Sequence, residues 1–343
     1  MYIEEIAAKH LGNFMSKMER LGLRIYIYRL RLPSKTKKRL SNILFNVLSN
    51  LRLIDWIIQH IDVPRGVDMN LLRILIYRIA LENNPEVIHR WGAVDSLRLE
   101  QLRDLSITQL NKLNSIPPIK RLSLKYSYPD FLVRRLSKYM SLDELAKILS
   151  IMNQRPKYTW LCVYSSRFDR DEVISLLESE GFSVSPDKDF YDVIRVERKP
   201  MRIEKSAAYR RGMFIIADKA SIACTHLLHP RDGDVILDMC AAPGIKLLCT
   251  AFKMNYGKIV AVDISKSRMM RLKSLVRKYR IPKDIIIETH IMDSRRLDTD
   301  IIHGADKIII DAECSSTGLI AKSPDIKLRI NKERIRRLGI LQR

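Results

Sequence analysis

The stretch Val235-Ile236-Leu237-Asp238-Met239-Cys240-Ala241-Ala242-Pro243-Gly244-Ile245-Lys246 decides the fold. Val235–Met239 is a short apolar run, which reads as a buried strand. Cys240 to Gly244 is a turn of small residues with a proline, and a helix is expected from about Lys246. The same rhythm then repeats. Ile259–Val262 reads as a strand, Lys266–Tyr279 as a helix, Ile285–Thr289 as a strand after Pro282, and Lys307–Ile310 as a fourth strand. Apolar strands separated by helices predict a parallel sheet covered on both faces, an α/β domain.

Each of these strands is followed by chemistry-bearing residues. The first leads into the loop Cys240-Ala241-Ala242-Pro243-Gly244-Ile245-Lys246, the second into Asp263, the third into Asp293 and the fourth into Asp311-Ala312-Glu313-Cys314. In an open α/β sheet the crevice beyond the strand ends receives a nucleotide. Small residues let the backbone approach a ligand, and an acid after the second strand can accept ribose hydroxyls. A single acid after a strand is ordinary turn chemistry; four in register point to one site. The loop lacks both G-x-G-x-x-G and a Walker pattern. A nucleoside without a pyrophosphate, such as the sulfonium S-adenosylmethionine, suits it better.

Upstream, apolar residues recur at helical spacing in Leu40, Ile43, Leu44, Val47, Leu48 and Leu51, and again in Leu71, Leu72, Leu75, Ile76 and Ile79. Breaks fall at Pro33, Pro64-Arg65-Gly66 and Asn83-Asn84-Pro85, and Pro117-Pro118 closes the region. Residues 1–120 are therefore expected to form a helical bundle. Residues 121–205 read as two helices, Pro129–Tyr139 and Leu142–Met152, followed by a small α+β unit. Ser141 and Glu144 have capping-box spacing at the start of the second helix. The α+β unit has strands at Tyr158–Tyr164, Phe182–Val184 and Val193–Val196, with a helix over Asp169–Glu180. Residues 206–343 complete the division into three.

The 343 residues include 61 Lys plus Arg against 39 Asp plus Glu, a net charge of +22. Such a balance suggests a polyanionic partner, nucleic acid first, because basic side chains release counterions from phosphates. No apolar run is long enough to cross a bilayer, and Glu4-Glu5 stand where a signal peptide needs bases. Five scattered cysteines without a CxxC argue against a disulfide framework and for a reducing cytoplasm. The seven histidines show neither HxxxH nor HxH spacing, so no metal is expected. Trp56, Trp91 and Trp160 read as core, and Cys162, Cys224 and Cys249 as packing residues.

The run Asp238–Lys246 resembles the D-x-C-A-A-P-G-G-K signature of the Sun/Fmu-type (NOL/NOP/Sun) RNA cytosine-5 methyltransferases. Tyr126-Ser127-Tyr128-Pro129 is similar to that family's Y-S-H-P segment, and Gly212-Met213-Phe214 with Asp218-Lys219-Ala220-Ser221 to its G-x-F-x-x-Q-D-x-A-S. Asp311–Gly318 resembles D-A-P-C-S-G-T-G, and Pro324-Asp325-Ile326-Lys327 resembles H-P-D-I-K. The resemblance implies a Rossmann-like class I methyltransferase domain, preceded by the α+β unit and by a helical domain like the NusB-type RNA-binding domain of some members. It implies transfer of a methyl group from S-adenosylmethionine to carbon 5 of a cytosine in ribosomal or transfer RNA. Cys240, Ala241, Ala242, Pro243, Gly244, Ile245 and Lys246 would line the cofactor, Asp263 would hold its ribose and Asp293 its adenine. Asp311 would face both the base and the methyl donor. A cysteine thiolate adding at carbon 6 makes carbon 5 nucleophilic, and Cys314 matches the cysteine that assists product release.

Three departures from the pattern carry expectations. Ile245 replaces a glycine, and a β-branched residue there is expected to restrict the loop and crowd the cofactor. Glu313 replaces a proline, and a carboxylate beside Cys314 disfavours its thiolate. The family's nucleophile lies in a later T-C-S motif after a fifth strand, whereas this sequence stops at Leu341-Gln342-Arg343. The sheet is thus expected to be incomplete, with the fourth strand an open apolar edge. A gene fragment, half of an enzyme completed by a C-terminal polypeptide, and an inactive RNA-binding homologue are the readings left open.

Overall fold

The computed structural model describes residues 2–18, 22–63, 66–84, 87 and 92–343; of residues 24 and 92–98 it describes the backbone alone. The expected breaks at Pro64-Arg65 and Pro85, and Trp91, lie outside the described residues. The chain packs into two compact units, Met1–Arg155 with Cys314–Arg343, and Pro156–Glu313.

The first unit is helical. Its helices are α1 (Ile3–Met15), α2 (Leu23–Arg29), α3 (Ser34–Ser49), α4 (Leu51–Gln59), α5 (Met69–Ile76), α6 (Gly92–Lys112), α7 (Pro118–Lys125), α8 (Asp130–Leu136) and α9 (Leu142–Met152). In α3 the buried set includes Leu40, Ile43, Leu44, Val47 and Leu48, the stripe that the spacing predicts. Asp68 caps α5 by accepting from the amides of Asn70 and Leu71, and the Ser141–Glu144 capping box opens α9. The C-terminal segment of this unit includes α16 (Ile326–Arg329) and α17 (Lys332–Leu341). Lys327 is buried and donates to the carbonyl oxygens of Ser49 (2.9 Å) and Tyr126 (2.8 Å) and to Asn153 Oδ1 (2.5 Å). It thereby fastens the last residues to three places in the bundle.

The second unit holds two sheets. Its elements in chain order are β1 (Thr159–Val163), α10 (Arg170–Ser179), β2 (Ser183–Pro186), β3 (Val193–Arg198), α11 (Ala207–Arg210), β4 (Phe214–Ala217), α12 (Lys219–Leu228), β5 (Val235–Asp238), α13 (Ile245–Ala251), β6 (Gly257–Asp263), α14 (Lys266–Tyr279), β7 (Ile285–Ile291), α15 (Thr299–His303) and β8 (Lys307–Ile309). The first sheet is antiparallel in the order β2-β3-β1-β4. Strand β4 does not appear in the sequence reading. Four residues are too short for periodicity to register, and tertiary pairing with β1 (Trp160↔Ala217, Leu161↔Ile216) makes it a strand. The second sheet is parallel in the order β7-β6-β5-β8.

Strand alternation explains how the two sheets share a core. Cys162, Val193 and Ile215 of the antiparallel sheet pack into one cluster with Ile236, Ile259, Leu248 and Phe252 of the parallel layer. Tyr164 and Phe252 stack with centroids 4.2 Å apart. The buried carboxylate of Asp192 accepts from His226 Nε2 at 2.6 Å and from Lys253, an ionic joint between the layers. The other face of the parallel sheet buries Leu237, Val260 and Val262 against Leu297, so both faces are covered, as apolar strands require. Strand β8 pairs with β5 at the end of the sheet order, with Ile308 exposed. No helix among the described residues is long and apolar enough to cross a membrane.

Cysteine packing follows the sequence reading at Cys162 and Cys249, which are buried, but not at Cys224, which is exposed. Helix α12 is amphipathic, and its buried residues are Ile222 and Thr225, leaving Cys224 on the outer face.

Candidate functional site

The loops beyond β5 and β6 are tied to each other by the backbone. Ala241 N–H donates to the Val262 carbonyl at 2.9 Å, and Met239 N–H to the Ile309 carbonyl at 3.0 Å. Gly244 turns the chain into α13 at φ +108°, a conformation that favours glycine. A Cβ there would also lie 3.1 Å from Leu272 Cγ. Ile245 is already the first residue of α13. Its backbone is helical, so the expected restriction of the loop does not arise: the positive-φ demand falls on Gly244 alone.

Three of the acids and one lysine converge. Asp238 closes β5 and is 1% exposed. Its Oδ1 accepts from Cys240 N–H at 3.2 Å. Burial pushes its carboxyl up to about 7; the Cys240 amide and Lys246 oppose the shift, and Asp311 and Asp263 add to it. Asp263 closes β6 and is also buried. Its carboxylate accepts from Ala242 N–H (3.2 Å) and Ser265 N–H (2.8 Å), and Arg268 Nη1 lies 3.6 Å away. Arg268 also donates to the Ala242 carbonyl, bridging the two loops. Lys246, in the first turn of α13, places Nζ 2.5 Å from Asp311 Oδ2, beyond β8. Asp311 keeps more than half of its side chain in solvent.

Asp293 behaves differently. It caps the turn Ser294–Arg296 and pairs with the Arg295 guanidinium at 2.5 Å. The Arg295 side chain, then its backbone N–H, hold the Asp293 carboxyl down at about 2. Burial is the larger influence on Cys240 and raises its thiol pKa. The neighbouring Ser294 is close enough to act on the Cys240 thiol and lower its pKa, which brings this turn to the loop after β5. Cys240 is therefore disfavoured as a thiolate. Cys314 belongs to the first unit, where its exposed sulfur accepts from Ser316 N–H at 3.4 Å.

The residue set fits an adenosyl sulfonium. A carboxylate offers about four acceptor positions. Asp263 spends two on short backbone bonds and meets Arg268 at longer range, which leaves capacity for a ribose hydroxyl. Asp311, and Asp238 once ionised, add negative charge suited to a cation, and the loop offers small residues at Ala241 and Ala242. Arg268 did not emerge from the sequence. Its only signal was its position in the first turn of α14, after the Ser265 cap.

A parallel sheet with a small-residue loop and acids at successive strand ends defines a class I methyltransferase fold. Residues 225–343 match the family model of the 16S rRNA methyltransferase RsmB/F, and residues 128–204 match the ferredoxin-like domain of the same methyltransferases. The chain belongs to this RsmB/F (Sun) family of RNA methyltransferases, which are of the S-adenosylmethionine-dependent type. The ribosomal RNA small subunit methyltransferase B of Pectobacterium carotovorum subsp. carotovorum (strain PC1) is 26% identical, over 99% of this chain and 81% of that protein. That of Proteus mirabilis (strain HI4320) is also 26% identical, over 99% and 82%. The crystal structure of PH0851 superposes with a TM-score of 0.70 at 25% identity, covering 99% of this chain and 81% of that one. A methyltransferase homologue from Pyrococcus horikoshii shares the fold, with a TM-score of 0.52 at 21% identity over 58% of this chain and 64% of its own.

Proposed function

We propose that the protein methylates carbon 5 of a cytosine in small-subunit ribosomal RNA, with S-adenosylmethionine as methyl donor. The observation that carries this reading is the convergence of Asp238, Asp263, Lys246 and Asp311 at the ends of consecutive parallel strands. When bound, the cofactor supplies an electrophilic methyl group. Asp263 accepts a ribose hydroxyl, the loop Cys240–Lys246 lines the cofactor, and Asp293 lies on the adenine side. Lys246 orients the Asp311 carboxyl group toward ring nitrogen 3 of the flipped-out base, where a proton would be shared between the two. That shared proton stabilises charge that develops on the ring as the thiolate of the family's later T-C-S motif adds at carbon 6. Methyl transfer to carbon 5 would leave the donor as a neutral thioether, the carbon 5 proton would pass to a base, and expulsion of the thiolate would restore the ring. Cys314 assists that release.

The segments are assigned accordingly: 1–120 as a helical RNA-binding domain, 121–205 as a linker with an RNA-recognition unit, and 206–343 as the methyltransferase domain. The cytoplasm is the proposed setting, in keeping with five free cysteines. The test is incubation with methyl-labelled S-adenosylmethionine and 16S ribosomal RNA, followed by nuclease digestion and nucleoside chromatography. Label in 5-methylcytidine supports the reading. RNA bound without transfer of label would overturn it in favour of an inactive RNA-binding homologue, and label in another nucleoside would overturn the carbon-5 assignment.

A further inference from the structure

The antiparallel sheet has two unlike faces. Leu161, Val163, Ile194 and Val196 pack under α10 and α11 with Val173 and Leu177. On the opposite face, one end is buried in the core shared with the parallel sheet. Toward the other end that face opens. Trp160 on β1 stands opposite Arg195 on β3 and is half-buried. Tyr158, two residues earlier and so on the same face, is 42% exposed. The order β2-β3-β1-β4 places β1 and β3 in the middle of the sheet, so Trp160 lies on a central strand and Tyr158 just before its start.

Both rings carry a cation. The Arg195 guanidinium lies 4.8 Å from the Tyr158 centroid, and the Lys219 ammonium 4.9 Å from that of Trp160. The cations are themselves aimed: Arg195 is held by Glu197 at 2.6 Å, and Lys219 by Asp187 and Asp189 at 2.7 and 2.6 Å. Tyr158 and Trp160 meet edge to face, with centroids 6.2 Å apart. An exposed ring beside a half-buried one, each with a basic group, suits unpaired nucleotides, because every base offers a π-face and every linkage a phosphate. A protein partner would instead call for a contiguous apolar patch of several hundred Å²; here two rings are framed by charged side chains.

We infer that this face is a second RNA contact, on which unpaired bases of the substrate stack against Tyr158 and Trp160 while Arg195 and Lys219 face the phosphates. The inference rests on the RNA methyltransferase reading and extends it to a surface of its own. It implies that the preferred substrate is ribosomal RNA with an exposed single strand near the target, not a closed duplex.

The test uses the full chain and two probes, a short oligouridylate and an abasic chain of the same length. The wild type is expected to bind oligouridylate more tightly. Tyr158→Ala should weaken oligouridylate binding about tenfold and leave abasic binding unchanged. Tyr158→Phe, which keeps the ring, should restore affinity, and Trp160→Phe should abolish fluorescence quenching by oligouridylate while binding persists. Equal affinities of Tyr158→Ala and wild type for oligouridylate, or an equal loss on the abasic probe, would overturn the platform. If either occurred while wild-type methyl transfer to 16S RNA proceeded, the platform alone would fail. Absence of wild-type transfer to any RNA would instead remove the reading beneath it.

Discussion

Replacing Asp238 by asparagine should stabilise the second unit, and should do so only above acidic pH. Asp238 is 1% exposed, and its carboxyl is pushed from 3.8 up to about 7. The folded state therefore holds the proton more tightly than the unfolded state. Below pH 3.8 the acid is neutral in both states and nothing is lost. As pH rises toward 7 and beyond, the folded protein must bury a carboxylate, and stability falls. The interval from 3.8 to about 7, at about 1.4 kcal/mol per pH unit, sets the full cost at about 4 kcal/mol as an upper bound. An asparagine in its place stays neutral at every pH, and its side-chain oxygen can still accept from Cys240 N–H. The Asp238→Asn variant and wild type should be equally stable near pH 4, and the variant should gain about 2–4 kcal/mol by pH 8. Urea titrations read by pulsed hydrogen exchange over residues 235–238 measure that difference within one unit, free of the unfolding of the other. A difference independent of pH, or a variant less stable at pH 8, would refute the argument.

Gly244→Ala places a Cβ 3.1 Å from Leu272 at φ +108° and should cost about 1–3 kcal/mol, seen as a lower melting temperature and weaker S-adenosylmethionine binding by calorimetry. Lys246→Met removes the partner of Asp311 and should lower the methyl-transfer rate about a hundredfold with a much smaller change in cofactor affinity. Lys327→Met leaves the carbonyls of Ser49 and Tyr126 and the Asn153 side chain without their shared donor; a loss of about 1–3 kcal/mol from the first unit is expected in urea unfolding. Because a sulfonium favours the ionised form of nearby acids, cofactor binding should release protons near pH 7. Buffer-dependent calorimetric enthalpies check this, and the release should shrink in Asp238→Asn.

The parallel sheet was legible because its strands are apolar on both faces. That composition has one stable solution, a sheet buried between helices, and it put Asp263, Asp293 and Asp311 after the strands without reference to any contact. The α3 stripe and the Ser141 capping box were legible for a similar reason: both are local, set by residues three or four apart. Strand β4 was not, because Phe214–Ala217 becomes a strand only through pairing with residues more than fifty positions away. The same limit applies within the site. Sequence places an isoleucine in the cofactor loop but does not say which residue bears the positive φ. The fold assigns that strain to Gly244 and starts the helix at Ile245.

By itself, then, the sequence determined the alternation of strands and helices, the residues at the strand ends and a net positive charge suited to a polyanion, since these follow from local pattern and composition. Tertiary structure alone decided what those residues became. Burial made Asp238 an acid that titrates near neutrality. Arg295 claimed Asp293, and Lys246 met Asp311 across 65 positions of chain. A side chain's charge and reach depend on what surrounds it in space, and one-dimensional order does not carry that information.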